Sequence, residues 1–392
     1  MRVGHSEIKN SNFSNVLKFT IVIFIVILFS ALGGWQIYNL LHRTRIQSFL
    51  DSEKEMGLLF HSIRNSPQGE ITSLVSTILI QPATKRIGII SFYPETHLKP
   101  ESLEIGKRFL KEDEDIIRNE IADLLQIEIP YFMKFDSESI AAGIDLMEGL
   151  PAFLWDKDIE EKENLPTGEI NVDGALASRM LNFEGVKNPS PSGVAFRIYS
   201  MGLNFWQVRK EKWEILKNSG IFELAVSTLK TNISPDDIFL LSEIFFTGEE
   251  WTPYFIEMPV RRVQEEFHLD TETASLYMKN FFHVLRQKEN PMHDEPPKVE
   301  IKNGTNIGRL AKKMRYEIAR MGFRILEFSN ADRHDYENTI LLDVNARADY
   351  ANLMKKELKI KRVYHLINRT MLTDMVLILG KDYKDLRTTQ NE

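Results

Sequence analysis

The chain has no cysteine among its 392 residues. That absence removes thiolate metal sites, iron–sulfur clusters, cysteine nucleophiles and disulfide frameworks together. It suits an oxidising exterior without requiring one. Histidine is sparse as well: the nine residues lie scattered, with no pair at i, i+2 or i+4, so the chain carries no zinc-site spacing. A basic excess is missing, because the net charge is -7. A nucleic-acid partner wants a basic stripe, and none is expected here. There is no internal repeat and no low-complexity tract. Long apolar runs are lacking too, with one exception.

The exception is residues 19–41, which carry no charge. A helix needs roughly 20 such residues to cross the hydrocarbon core. Lys18 closes the run on one side and His42-Arg43-Thr44-Arg45 on the other, while Trp35 and Tyr38 fall where interfacial aromatics are favoured. The expectation is a tail at 1–18 and a transmembrane helix at 19–41. The alternative is a cleaved signal peptide, since Ala31-Leu32-Gly33 sets small residues at a cleavage-like spacing. Ile37, Leu40 and Leu41 resume the apolar pattern beyond that point and favour the anchor. Positive charges tie across the span, Arg2, Lys9 and Lys18 against Arg43, Arg45 and Lys54, so charge alone leaves the orientation open.

The remaining chain, 43% hydrophobic and 27% charged overall, has room for one large domain and one small one. Residues 47–66 are charged and read as a helix leading away from the membrane. Residues 74–80, a turn at 81–86 preset by Pro82, and residues 87–93 read as strand, turn, strand. Ile117, Ile121, Leu124 and Leu125 stand at helical spacing, residues 131–135 suit a short strand, and Ser137 opens a helix stopped by Gly149. Phe153 and Trp155 sit on another extended piece, followed by an acidic loop at 156–163 and a breaker-rich, exposed and mobile loop at 187–193. Helices resume from about Phe205. Ser234-Pro235-Asp236-Asp237 is the clearest helix start, with a hydroxyl N-cap, Pro at N1 and acids in the first turn. A second helix after Asp270 should bury Ala274, Met278, Phe281 and Leu285. Residues 288–297, with tandem prolines and no apolar period, read as a linker. Beyond it a compact α+β unit of about 85 residues alternates strands and helices. Its Gly304 and Gly308 lack P-loop or dinucleotide-motif spacing, and a plain tight turn is the simpler reading.

Several of these motifs resemble known families. Asn303-Gly304-Thr305 after a strand, Gly322-Phe323 after a helix, Tyr336 with residues 339–343, and residues 374–383 resemble the LytR C-terminal domain over 298–383. More faintly, the region 58–287 is similar to a LytR-CpsA-Psr domain. The points of contact are the hairpin at 73–96, residues 130–135 before a helix, Leu165-Pro-Thr-Gly168, residues 172–177 and residues 231–237. The resemblance implies an α/β fold, a mixed sheet flanked by helices after one N-terminal transmembrane helix, with a small C-terminal α+β domain at 298–384. It also implies a single-pass protein of the bacterial inner (cytoplasmic) membrane, its body outside. Proteins of that family move wall glycopolymers from a polyprenyl-pyrophosphate lipid onto peptidoglycan with the help of a divalent cation.

Such chemistry needs arginine forks on the phosphates and carboxylates on Mg²⁺. Where the family's second strand ends in Ile-Pro-Arg-Asp-Thr, this chain has Phe92-Tyr93-Pro94-Glu95-Thr96. Proline replaces the arginine, and Ser73 aligns with a metal-binding aspartate. The resemblance leaves Glu95 and Arg179 as candidate catalytic residues and Arg197 and Arg209 as candidate phosphate cations, although Met180 follows Arg179 where a second arginine belongs. It names no metal ligand, and Mg²⁺ enters only if the site is active. Simpler roles compete: a solvated carboxylate for Glu95, a surface ion-pair residue for Arg179, a turn former for Asp173. Two readings follow. One is a non-catalytic or weakly active binding and scaffold component of wall-glycopolymer assembly. The other is an active phosphotransferase with a rearranged site.

Overall fold

The computed structural model describes residues 44–52, 54–66, 69–155, 168–182, 191–248, 251–287, 295–368 and 371–385. The chain divides into two compact units, 1–52 and 53–392. In the first, Thr44 caps helix Arg45–Leu50: its hydroxyl accepts from the Gln47 amide at 3.2 Å, and the Gln47 side chain accepts from the Thr44 amide at 3.1 Å. The expected tail and span at 1–41 lie outside the described residues, and among the described residues no helix is long and apolar enough to cross a membrane.

The second unit opens with β1 (Met56–Ser66), β2 (Gly69–Gln81) and β3 (Arg86–Phe92). Short β4 (Thr96–His97) follows, then β5 (Tyr131–Asp136), β6 (Leu150–Leu154) and β7 (Gly168–Val172). After them come β8 (Lys230–Thr231), β9 (Thr252–Glu257), β10 (Val260–Val263) and β11 (Glu266–Leu269). Six of these form one mixed sheet in the order β8-β5-β1-β2-β3-β9. The hairpin of β2 and β3 is the one expected, with the Lys85 amide donating to the Pro82 carbonyl at 3.3 Å across the turn. The helix expected over 47–66 is corrected: helix ends at Leu50, and 56–66 is β1, paired with β2 and β5. This strand is buried on both faces, so it shows no alternation of apolar and polar residues.

Helices cover both faces of the sheet. Ile105–Lys111, Glu114–Leu125 and Thr271–Arg286 pack on one side through Ile105, Phe109, Ile117, Ile121, Phe281 and Leu285 against Leu59, Leu79 and Ile90. Ser137–Leu146, Gly174–Asn182 and Pro191–Leu216 take the other, against Leu74 and Phe135. The helix expected from about Phe205 therefore starts fourteen residues earlier, and the tail of the expected loop at 187–193 is its first turn. The expected caps hold. Ser234 accepts from the Asp237 amide at 3.2 Å, and the helix after Asp270 buries Ala274, Met278, Phe281 and Leu285.

Helix Thr271–Arg286 seats directly on Gly88 of β3. A Cβ there would stand 2.6 Å from Phe281 Cζ and 2.9 Å from Leu285 Cδ1. Gly88→Ala is expected to lift the helix and remove about 1–3 kcal/mol of stability, read as a lower Tm. An unchanged Tm would mean that the helix is not seated as described.

The C-terminal module holds β12 (Lys298–Asn303), β13 (Arg324–Asn330), β14 (Ile340–Asp343), β15 (Arg362–His365) and β16 (Met375–Leu379) in the order β13-β12-β16-β14-β15. Helix Leu310–Arg320 joins parallel β12 to β13, and helix Ala348–Leu358 joins parallel β14 to β15. Strands and helices thus alternate as two crossover units. The turn at Asn303 is closed on itself: Asn303 Oδ1 accepts from the Thr305 amide (3.1 Å) and hydroxyl (2.9 Å), and Thr305 Oγ1 accepts from the Ile307 amide at 3.1 Å. That is the plain tight turn expected.

Candidate functional site

The strand-end motif singled out in the sequence lies where β3 leaves the sheet. The Thr96 amide donates to the Tyr93 carbonyl at 2.9 Å, closing a turn over Pro94 and Glu95. Pro94 is buried, and its carbonyl accepts from the Gly106 amide at 2.8 Å in the first turn of helix Ile105–Lys111. The Gly106 carbonyl in turn accepts from Thr72 Oγ1 at 2.8 Å. A Cβ on Gly106 would meet the Pro94 oxygen at 2.9 Å, so the turn and the helix are in direct contact. Position 94 is therefore a packed joint between strand and helix.

Glu95 is half-buried on this turn. The Tyr93 ring meets Phe196 edge-on at 6.4 Å, which brings the turn against the helix carrying Arg197, itself half-buried. One turn further, Tyr199 lies under the sheet beside Ser91 and Ser76, and burial raises its phenol well above the usual range.

The other two candidates have different surroundings. Arg209 is twelve residues beyond Arg197 on the same helix, about 18 Å along its axis. Its guanidinium donates to the carbonyls of Trp206 (2.8 Å), Phe245 (3.1 Å) and Gly248 (2.8 Å). Two of these belong to the C-terminal end of helix Pro235–Thr247, where a cation satisfies carbonyls left over by the helix. Arg209 thereby holds that helix end. Arg179 is exposed on helix Gly174–Asn182, opposite the face that buries Leu176, Ala177 and Leu181.

Among the described residues no three of His, Asp and Glu gather where a metal could be held. Ser73 is buried, and its hydroxyl donates to the Ser62 carbonyl at 3.3 Å across β1 and β2.

A second polar cluster, not found in the sequence, joins the C-terminal module to the larger body. Ser200, Asn204 and Gln207 line one face of helix Pro191–Leu216 at helical spacing. Asn204 pairs with the His365 backbone in both directions, accepting from its amide at 2.7 Å and donating to its carbonyl at 3.0 Å. Ser200 Oγ accepts from the Ile367 amide at 2.9 Å. Gln207 Oε1 accepts from Lys355 Nζ at 3.0 Å, and its amide nitrogen lies 3.0 Å from His365 Nε2 and 3.2 Å from Asn352 Oδ1. Lysine only donates, which fixes the Gln207 amide; that amide then donates to Nε2, so the His365 proton sits on Nδ1. Nδ1 donates to Asp343 Oδ2 at 2.8 Å, with both side chains fully buried. Burial, with the nearby Arg209 charge, lowers the Lys355 ammonium. The visible signal was three polar residues at i, i+4 and i+7 in a stretch of otherwise apolar residues, hidden because the helix was expected to start only near Phe205.

Residues 297–383 match the family described as LytR cell envelope-related transcriptional attenuator. The C-terminal module is a LytR C-terminal domain. The chain has distant neighbours among solved structures. TagT, solved bound to LI-WTA, is 13% identical over 59% of this chain and 91% of its own, with a TM-score of 0.48. TagV of B. subtilis is 16% identical over 60% and 98%, with a TM-score of 0.47. A transcriptional regulator of Enterococcus faecalis is 14% identical over 61% and 91%, also at 0.47. Curated proteins give no match. The LytR C-terminal domain thus ends a chain whose docking stripe, Ser200, Asn204 and Gln207, lies outside the matched residues.

Proposed function

We propose that the chain is a cell-envelope protein of the LytR-CpsA-Psr type, held by one N-terminal helix in the bacterial cytoplasmic membrane with its body outside. It binds or scaffolds components of wall-glycopolymer assembly with little or no transferase activity. The LytR C-terminal domain and the motif resemblance of the larger body support the class, and the uncharged run at 19–41 supports the anchor. One observation carries the loss of catalysis. Pro94 stands at the strand end where the family keeps an arginine, and it is packed into the fold through Gly106. Its carbonyl secures a helix start, and no guanidinium extends from that position. Arg209, one of the replacement cations, already serves three carbonyls. The partners in this reading are the membrane, a polyprenyl-linked glycan and peptidoglycan.

The second reading, an active phosphotransferase using Glu95, Arg179 and Arg197, draws on the Tyr93–Phe196 contact that brings the Glu95 turn to the helix of Arg197. The two are separated by incubating the full chain in detergent with a polyprenyl-phosphate lipid extract, and by assaying glycan release with Mg²⁺ added. Retention of the lipid without turnover is the expected result. Mg²⁺-dependent turnover lost on Arg179→Ala would establish the enzyme instead. No lipid retention by either the native chain or a Pro94→Arg variant would sink the binding reading.

A further inference from the structure

The LytR C-terminal domain is charged unlike the rest of the chain. Residues 298–383 hold 17 Lys and Arg against 11 Asp and Glu, whereas the whole chain is at -7. Part of this excess surrounds an uncovered aromatic surface. On helix Leu310–Arg320, Tyr316 is 57% exposed; on β13, Phe328 is 40% and Leu326 47% exposed. Arg315 lies between the two elements, its guanidinium 4.6 Å from the Tyr316 ring centre and 5.0 Å from that of Phe328, and it donates to the Tyr316 hydroxyl at 2.7 Å. Lys312, Lys313, Arg320 and Arg324 are exposed on the same helix and strand. Of the acids, Glu317 faces Arg320 at 3.8 Å. Glu327 pairs with Glu300, which Lys302 meets at 2.9 Å.

β13 is the outer strand of its sheet, and among the described residues no strand pairs with its far edge. Its pairing with β12 slips between Val299 and Glu300, and the extra residue is Leu326. A bulge on an edge strand opposes the addition of another strand. The same slip sets Phe328 opposite Ile301, on the helix side of the sheet where Arg315 covers it. An edge closed to strands but lined with ring faces and fixed cations suits a ligand that offers flat apolar faces and regularly spaced anions. Sugar rings joined by phosphates have both. We propose that the surface formed by Arg315, Tyr316, Leu326 and Phe328, with Lys312 and Arg324 around it, binds an anionic, phosphate-bearing glycan chain. Sugar faces stack on the exposed rings, and phosphate oxygens meet the guanidinium fork of Arg315. This goes beyond the scaffold reading above by naming a second contact point, remote from the Pro94 turn.

The test uses the full chain in detergent and four probes of equal length: dextran phosphate, neutral dextran, polyphosphate and poly-glutamate. Dextran phosphate is expected to bind most tightly, and added salt to weaken it because exposed charges are screened. Arg315→Ala should weaken it at least tenfold. Tyr316→Ala and Phe328→Ala should weaken dextran phosphate but leave polyphosphate unchanged, and Lys359→Gln, a charge removed from another helix, should alter neither. Tyr316, Phe328 and Lys359 are exposed and Arg315 half-buried, and melting curves confirm folding. The proposal is overturned if Arg315→Ala binds as the native chain does, if polyphosphate binds as tightly as dextran phosphate, or if poly-glutamate is preferred, which would reassign the surface to an acidic peptide. Because these readings concern only the LytR C-terminal domain, they stand or fall apart from the lipid-retention result.

Discussion

Asp343→Ala is expected to lower the stability of the body by about 3–5 kcal/mol, because three donors lose their acceptor at about 1–3 kcal/mol each. The carboxylate serves three donors. Oδ1 accepts from the amides of Arg347 at 2.8 Å and Asn345 at 3.2 Å, and Oδ2 from His365 Nδ1 at 2.8 Å. With alanine there, two part-buried amides just before helix Ala348–Leu358 and one buried imidazole N–H lose their acceptor. The damage then passes to the joint. Without its carboxylate the ring no longer has a fixed tautomer, and Gln207 loses a certain acceptor at Nε2. Asp343→Asn separates these effects. Its oxygen still accepts from the two amides, but its nitrogen faces Nδ1 as a donor and drives the proton to Nε2, against the Gln207 amide. About half of the loss is therefore expected to remain, in the range of 1.5–2.5 kcal/mol. Urea unfolding gives the totals, and hydrogen exchange at the His365 and Ile367 amides reports the joint, since both donate to side chains of helix Pro191–Leu216. Equal midpoints for the native chain and Asp343→Ala would refute the account.

What could be read from the sequence follows the kind of signal each element carries. The LytR C-terminal domain was legible strand by strand because its strands are short and bounded by turns, and its helices carry a regular apolar stripe such as Leu310, Met314 and Ile318. Caps were legible because they are local: Ser234 and Asp270 need only residues three places on. β1 was not, because His61, Ser62 and Arg64 stand buried inside it and mimic a polar surface segment. Their burial depends on helices more than forty residues away. The candidate site suffered from the same distance. Nothing near Arg209 in sequence indicates that Phe245 and Gly248 will be its acceptors, and the docking stripe acquires its meaning only when β15 arrives more than 150 residues later. The loss at Pro94 was readable as a substitution, while its role as the acceptor for the Gly106 amide was not.

Acidification should destabilise the body through His61, and removing that histidine should abolish the effect. His61 is 1% exposed on β1, and neither ring nitrogen has a hydrogen-bond partner. Its ring packs against Phe109 at 4.5 Å, and Glu114 Oε1 is 3.5 Å from Nδ1, beyond a good hydrogen bond. Across the sheet the register runs His61, Lys134, Lys230 over β1, β5 and β8, so two ammonium groups stand in the same row. Burial first, then Lys134 and Lys230, lowers the imidazole from 6.5 to about 3. A folded value below the unfolded one means stability that is full above pH 6.5 and is lost as the pH falls toward 3. At pH 5 the loss from this residue is about 2 kcal/mol, from 1.36 kcal/mol per pH unit. Glu114 from helix Glu114–Leu125 works the other way: burial raises its carboxyl, so its contribution grows as the pH falls and trims the loss near pH 5. His61→Leu is expected to match or exceed the native stability at pH 7.5, because it replaces two unsatisfied buried nitrogens with hydrocarbon. It should also flatten the decline between pH 7.5 and pH 5 in urea midpoints. His61→Phe, which keeps a ring beside Phe109, should flatten it equally. If both variants decline as steeply as the native chain, the acid sensitivity lies in other groups and the buried, neutral state of His61 is wrong.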